Sequence, residues 1–127
     1  MALKLLLVEN AAINIQDKDG ATALHTAAQS GNIESVKLLL EFKANVKIVD
    51  NHGSTALHHA ANQNFVDICK LLLDASANPQ AKDALDYSPL DLASLRGNTD
   101  SLSLLLQYGG YVSFSFSLLR SVFPQFF

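Results

Sequence analysis

The chain has no tryptophan, one methionine and one cysteine, Cys69. A lone cysteine excludes an intramolecular disulfide and fits a reducing compartment, so the expected setting is cytoplasmic or nuclear. Charge is also sparse: Asp, Glu, Lys and Arg make up 17% of the residues, with a formal net charge of -3. The basic footprint needed to hold a phosphate backbone is missing, so nucleic acid is not an expected partner. Long apolar runs are missing too. Leu5-Leu6-Leu7-Val8 stops at Glu9, too short for a signal core or a spanning helix, and no membrane partner is expected. No Gly-rich phosphate loop, G-x-S-x-G elbow or H-E-x-x-H motif occurs, which argues against an enzyme and against a cofactor or small-molecule substrate. What the chain does have is a 49% hydrophobic share over 127 residues. That supports one small domain or a few stacked repeats, but not two independent cores.

The apolar residues recur with a fixed period. Thr22-Ala23-Leu24-His25 returns as Thr55-Ala56-Leu57-His58 and then as Ser88-Pro89-Leu90-Asp91, with an offset of 33 each time. The same offset carries Leu38-Leu39-Leu40 onto Leu71-Leu72-Leu73 and Leu104-Leu105-Leu106, and runs back onto Leu5-Leu6-Leu7. Asp17, Asp50 and Asp83 keep the register, as do Ala27-Ala28 and Ala60-Ala61. Several residue types holding one register mark a repeat architecture.

Each unit reads as turn, helix, turn, helix, turn. Asp17 to Gly20 has the chemistry of a tight turn, with Gly20 and Gly53 supplying a positive φ. Thr22 or Thr55 offers a hydroxyl to the unpaired N–H groups of the next helix. Leu24, Ala27 and Ala28 give that helix a narrow apolar face whose small residues let neighbouring helices approach closely. Gly31 and Gly97 can end it in the left-handed conformation. Ile33, Val36, Leu39 and Leu40 then form the apolar side of a second helix, and Ala44-Asn45 and Ala77-Asn78 close the unit. Neither helix can bury its face alone, so the units must stack.

This pattern resembles the ankyrin repeat, roughly D-x-x-G-x-T-P-L-H-x-A-A-x-x-G followed by a leucine-rich helix. Asp17 to Val46 matches nearly throughout, and Asp50 to Asn78 matches with Asn64 in a glycine position. Asp83 to Gly110 departs from it more, with Asp86 for Gly and Asp91 for His. Asp tolerates positive φ better than most residues, so that turn can survive, and Pro89 restores the proline that Ala23 and Ala56 replace. The resemblance implies an all-α solenoid of stacked helix-turn-helix units with hairpin-like loops, and a protein-binding scaffold or adaptor rather than an enzyme. The units expected are a partial repeat over 3–16, full repeats over 17–49 and 50–82, and a weaker one over 83–110.

Both ends depart from the repeat. Residues 3–16 carry only a second helix and its closing turn, and residues 111–127 form a hydrophobic tail outside the pattern. Five of the seven phenylalanines lie in that tail: Phe114, Phe116, Phe123, Phe126 and Phe127. These features predict a fragment, truncated isoform or incomplete version of a longer repeat protein, and leave open a partial product with no independent function. The tail itself can be read as non-native sequence, as an improvised cap on the last unit, or as an anchor.

Four histidines and Cys69 invite a metal reading, which would need tetrahedral convergence of their ligands. In the resemblance, His25 and His58 instead tie the helix start to the preceding turn. His52 falls on a turn, His59 falls one step along a helix, and Cys69 takes the apolar position of Val36, so no metal site is expected. The expected binding surface is the concave groove that hairpin tips and first helices line in the family. Its candidates, by register, are Lys18, Asp19, Asn51, His52, His59, Asn62, Gln63, Leu85, Tyr87, Leu95 and Arg96, chosen as residues free of turn, cap or core duties. Tyr87 and Arg96 rank first because aromatic and arginine side chains dominate interface energetics. The resemblance also makes Asn14 a candidate for asparagine hydroxylation.

Overall fold

The computed structural model describes residues 12–109 and Gln125. The expectations for residues 3–11 of the partial repeat and for nearly all of the 111–127 tail therefore lie outside the described residues. Six helices form three pairs. α1 (Ala23–Ser30) and α2 (Ile33–Glu41) make the first, α3 (Ala56–Asn62) and α4 (Val66–Asp74) the second, and α5 (Pro89–Arg96) and α6 (Thr99–Gln107) the third. There is no β-strand among the described residues.

The first helix of each pair starts on a reciprocal cap. The Thr22 hydroxyl accepts the His25 N–H at 3.3 Å, while His25 Nδ1 accepts the Thr22 N–H at 3.1 Å. Thr55 and His58 repeat this arrangement, and so do Ser88 and Asp91 through oxygen. Each cap satisfies two backbone donors that the first turn leaves unpaired, and losing one costs about 1 kcal/mol. The second helices begin less firmly. Asn32 accepts the Ser35 N–H, whereas Phe65 and Asn98 give no side-chain cap. Acidic residues in the first turn of each (Glu34, Asp67 and Asp100) favour the helix dipole.

Left-handed residues punctuate the chain at a constant interval. Four non-glycine and five glycine residues have positive φ among the described residues, and all fall into three sets spaced by 33. Gly20, Gly53 and Asp86 shape the hairpin turns; Gly31, Asn64 and Gly97 end the first helices; Lys43, Ser76 and Gly109 end the second. Glycine is nearly free of cost there, whereas an L side chain costs about 1–2 kcal/mol.

Packing follows the same register. Leu24, Leu57 and Leu90 are buried on the first helices. Val36, Cys69 and Leu102, with Leu39, Leu72 and Leu105, are buried on the second. Fully buried Ala28, Ala60, Ala61 and Ala93 let the first helices lie close together, and the result is one continuous core across all three pairs. On the outer surface, Tyr108 Oη donates to Asp74 Oδ1 and Lys70 pairs with Asp74 at 3.3 Å, tying α4 to the end of α6.

Candidate binding groove

Each hairpin is organised by the aspartate at its root. Asp17 Oδ1 accepts the N–H groups of Asp19 and Ala21, at 2.8 and 3.0 Å. Asp50 Oδ1 accepts those of His52 and Ser54 at 2.9 and 3.0 Å. Asp83 Oδ1 accepts those of Leu85 and Tyr87, both at 2.9 Å. Successive hairpins are joined edge to edge by backbone bonds: Asn51 N–H to Asp19 O at 3.0 Å, and Ala84 N–H to His52 O at 2.9 Å. Histidines add a second link. Because His25 Nδ1 accepts from Thr22, its proton sits on Nε2, which donates to Ser54 O in the next unit at 2.9 Å. His58 donates likewise to Tyr87 O. The hairpins therefore form a fixed ribbon alongside the first helices.

The ribbon exposes Lys18, Asp19, Asn51, His52 and Leu85, the last 77% exposed. On the helices and their ends Gln63, Leu95 and Arg96 are exposed and His59 and Asn62 half-buried, as is Tyr87 in the third hairpin. Four of these candidates also bond inside the protein. His59 Nε2 lies 2.8 Å from Asp50 Oδ2, and its ring meets that of His25 edge-on. Asn51 Nδ2 donates to Lys18 O, and Arg96 Nε donates to Asn62 Oδ1 at 2.9 Å. Repeat register alone could not reveal these bonds, because His59, Asn62 and Arg96 lie where the repeat varies and their partners sit in another element. Asn14 is also engaged: its Oδ1 accepts the Asn45 N–H at 2.9 Å.

Electrostatics set the remaining chemistry. Burial opposes ionisation of Asp50, but the bonds from His59, Ser54 and His52 outweigh it and hold the carboxyl below its ordinary 3.8. Burial lowers His58 below its ordinary 6.5, against the opposing pull of the Tyr87 carbonyl and the Asp83 charge. Burial also pushes the Cys69 thiol up to about 12, leaving it an inert core group. Among the described residues, no group of three His, Cys, Asp or Glu side chains is placed to hold a metal ion. No helix of the described residues is long and apolar enough to cross a membrane.

Stacked helix pairs linked by a ribbon of hairpins define a helical-repeat solenoid. The particular family follows from comparison: the profile described as ankyrin repeats (3 copies) matches residues 1–83. The chain belongs to the ankyrin-repeat family. The third helix pair lies beyond the matched span, and its place in the stack rests on its structure. No curated protein matches the chain. Ankyrin repeats are generally protein–protein interaction modules and typically not enzymes.

Proposed function

We infer that the chain is a scaffold or adaptor module that binds a partner protein along the face formed by its hairpins and first helices. The observation that carries this reading is the fixed ribbon. Backbone bonds from Asn51 to Asp19 and from Ala84 to His52 fix the backbone that carries a row of exposed side chains, which lowers the ordering cost of binding. Its third unit offers Leu85, Tyr87, Leu95 and Arg96 together, the mixture of apolar, aromatic and arginine groups that supplies binding energy. The module's setting on this reading is the cytoplasm or nucleus, which its single cysteine fits.

The test is affinity purification from cells with quantitative mass spectrometry, comparing the protein with a Tyr87→Ala, Arg96→Ala double variant. The double variant is expected to lose most of its specific partner, roughly tenfold or more. Its melting temperature should change little, since among the described residues the Tyr87 side chain holds no inter-unit bond and Arg96 makes only an exposed one to Asn62. Partner recovery unchanged by the double substitution would sink this placement.

A further inference from the structure

The second unit shows what the groove side of a hairpin-root aspartate takes. Two backbone N–H groups fix Asp50 Oδ1, which leaves Oδ2 facing the first helix, where His59 donates to it at 2.8 Å. Asp83 is held by the same two bonds, from Leu85 and Tyr87, so its Oδ2 occupies the equivalent place. The residue in register with His59 is Leu92, which has no proton to donate. Among the described residues no donor reaches Asp83 Oδ2, and Asp83 is half-buried. The neighbouring cations are turned elsewhere: Lys82 lies 3.4 Å from Asp91 Oδ2, and Arg96 is bonded to Asn62. Half-buried Leu92 and exposed Leu95 share one face of α5, and exposed Leu85 and half-buried Tyr87 stand in the hairpin that Asp83 organises. A carboxylate beside an apolar and aromatic shelf suits a long apolar stem with a cationic head. Asp17 is different: it is exposed, next to Lys18, and faces the register position of Thr26.

The geometry points to a cation subsite at the third unit, in which Asp83 binds an arginine or lysine of an extended partner segment whose adjacent apolar residue lies on Leu92, Leu95 and Leu85. This rests on the groove being the binding face. The internal pair of the second unit is the template, and the partner's basic side chain supplies in the third unit what His59 supplies in the second. A charge-assisted bond formed at a half-buried carboxylate is stronger than a neutral one, and a guanidinium can make it bidentate.

The experiment is selection from a phage-displayed library of random linear peptides on the full chain, followed by affinity measurement with the selected peptides. Two variants accompany it. Asp83→Asn keeps the Oδ1 acceptor that shapes the turn and removes the charge, and Leu92→His rebuilds the second unit's internal pair. The wild type should enrich peptides with Arg or Lys beside a large apolar residue. Both variants should bind those peptides roughly ten- to a hundredfold more weakly, as loss of one charge-assisted bond implies. Leu92→His should do so with an undiminished melting temperature, which separates a filled subsite from a damaged fold. Enriched peptides without a basic residue, or basic peptides that both variants bind as tightly as the wild type does, overturn the subsite while leaving the groove standing. No enrichment on the wild type overturns the groove reading and the subsite with it.

Discussion

The seams between units and the far side of the third unit are built from the same positions but not the same residues. At each seam a histidine reaches across, His25 to Ser54 O and His58 to Tyr87 O. At each seam, too, a glycine makes room. A Cβ on Gly20 would lie 2.8 Å from Asn51 N, and one on Gly53 would lie 2.8 Å from Ala84 N. The third unit keeps the turn and the cap but changes both seam residues. Asp86 holds the left-handed turn with a φ of 69° while carrying a Cβ. Asp91 closes the cap with Ser88, yet a carboxylate has no proton to offer a following carbonyl. The difference separates two demands that the repeat sequence merges. Folding a unit needs positive φ and an acceptor at the helix start; joining it to the next needs a missing side chain and a ring N–H. The third unit meets the first demand with Asp86 and Asp91, and carries neither the glycine nor the ring N–H with which the first two units meet the second.

The largest effect should come from challenging a seam glycine. Gly53→Ala combines a strained left-handed alanine, about 1–2 kcal/mol, with overpacking against the Ala84 backbone, typically about 1–3 kcal/mol. Together these predict a loss of about 3 kcal/mol in urea unfolding. Gly97→Ala provides the contrast. It has a similar φ of 70°, but nothing among the described residues lies within 4 Å of its added Cβ, so the backbone strain is the expected loss, about 1–2 kcal/mol. Equal losses at the two sites would break the distinction between a unit's own needs and those of its seam.

The seam histidine gives a smaller, pH-dependent effect. His58 must be neutral, because its Nδ1 accepts the Thr55 N–H while its Nε2 donates to Tyr87 O. Its folded pKa lies below the ordinary 6.5, chiefly through burial, so the unfolded chain binds this proton more tightly. The contribution is complete above 6.5 and declines as pH falls through the window from 6.5 to the folded value. Asp50 titrates in a separate window, below 3.8, and leaves this one undisturbed. Thermal melts from about pH 7.5 down to about pH 5 should show falling stability, with a slope no steeper than about 1.4 kcal/mol per pH unit from this group. His58→Gln keeps a capping-box side chain but removes the titration, and should flatten the decline. A decline of the same steepness in His58→Gln would remove the seam histidine from the account.

Much of the fold was legible because the repeat restates each requirement three times. The caps at Thr22, Thr55 and Ser88, the left-handed Gly20, Gly53 and Asp86, and the buried Leu24, Leu57 and Leu90 all follow from register. Lys43 and Ser76 were not legible as left-handed residues, since neither side chain favours that conformation and the helix end is set by tertiary packing. The groove was legible only as a set of positions. Whether His59 or Arg96 is open to a partner depends on bonds to Asp50 and Asn62, which sequence spacing does not encode. Family membership names the face, and the partner's chemistry has to be read from what each unit does with its own hairpin aspartate.

The smallest effect tests the far side itself. Asp86 is exposed, holds positive φ, and stands where the other units have glycine. If its Cβ meets no neighbouring backbone, Asp86→Gly relieves the strain of a left-handed side chain and meets no loss of packing. The relief is opposed by the greater freedom of glycine in the unfolded chain, about 0.4–1 kcal/mol. The two nearly cancel, with strain relief slightly the larger, so a gain of about 0.5 kcal/mol in urea unfolding is expected. The same residue change run backwards at Gly53 would be severe, and that asymmetry is the point of the comparison. A loss above about 1 kcal/mol in Asp86→Gly would mean that the Asp86 side chain is packed or bonded as part of a seam, and the third unit would then have to be counted among the joined ones.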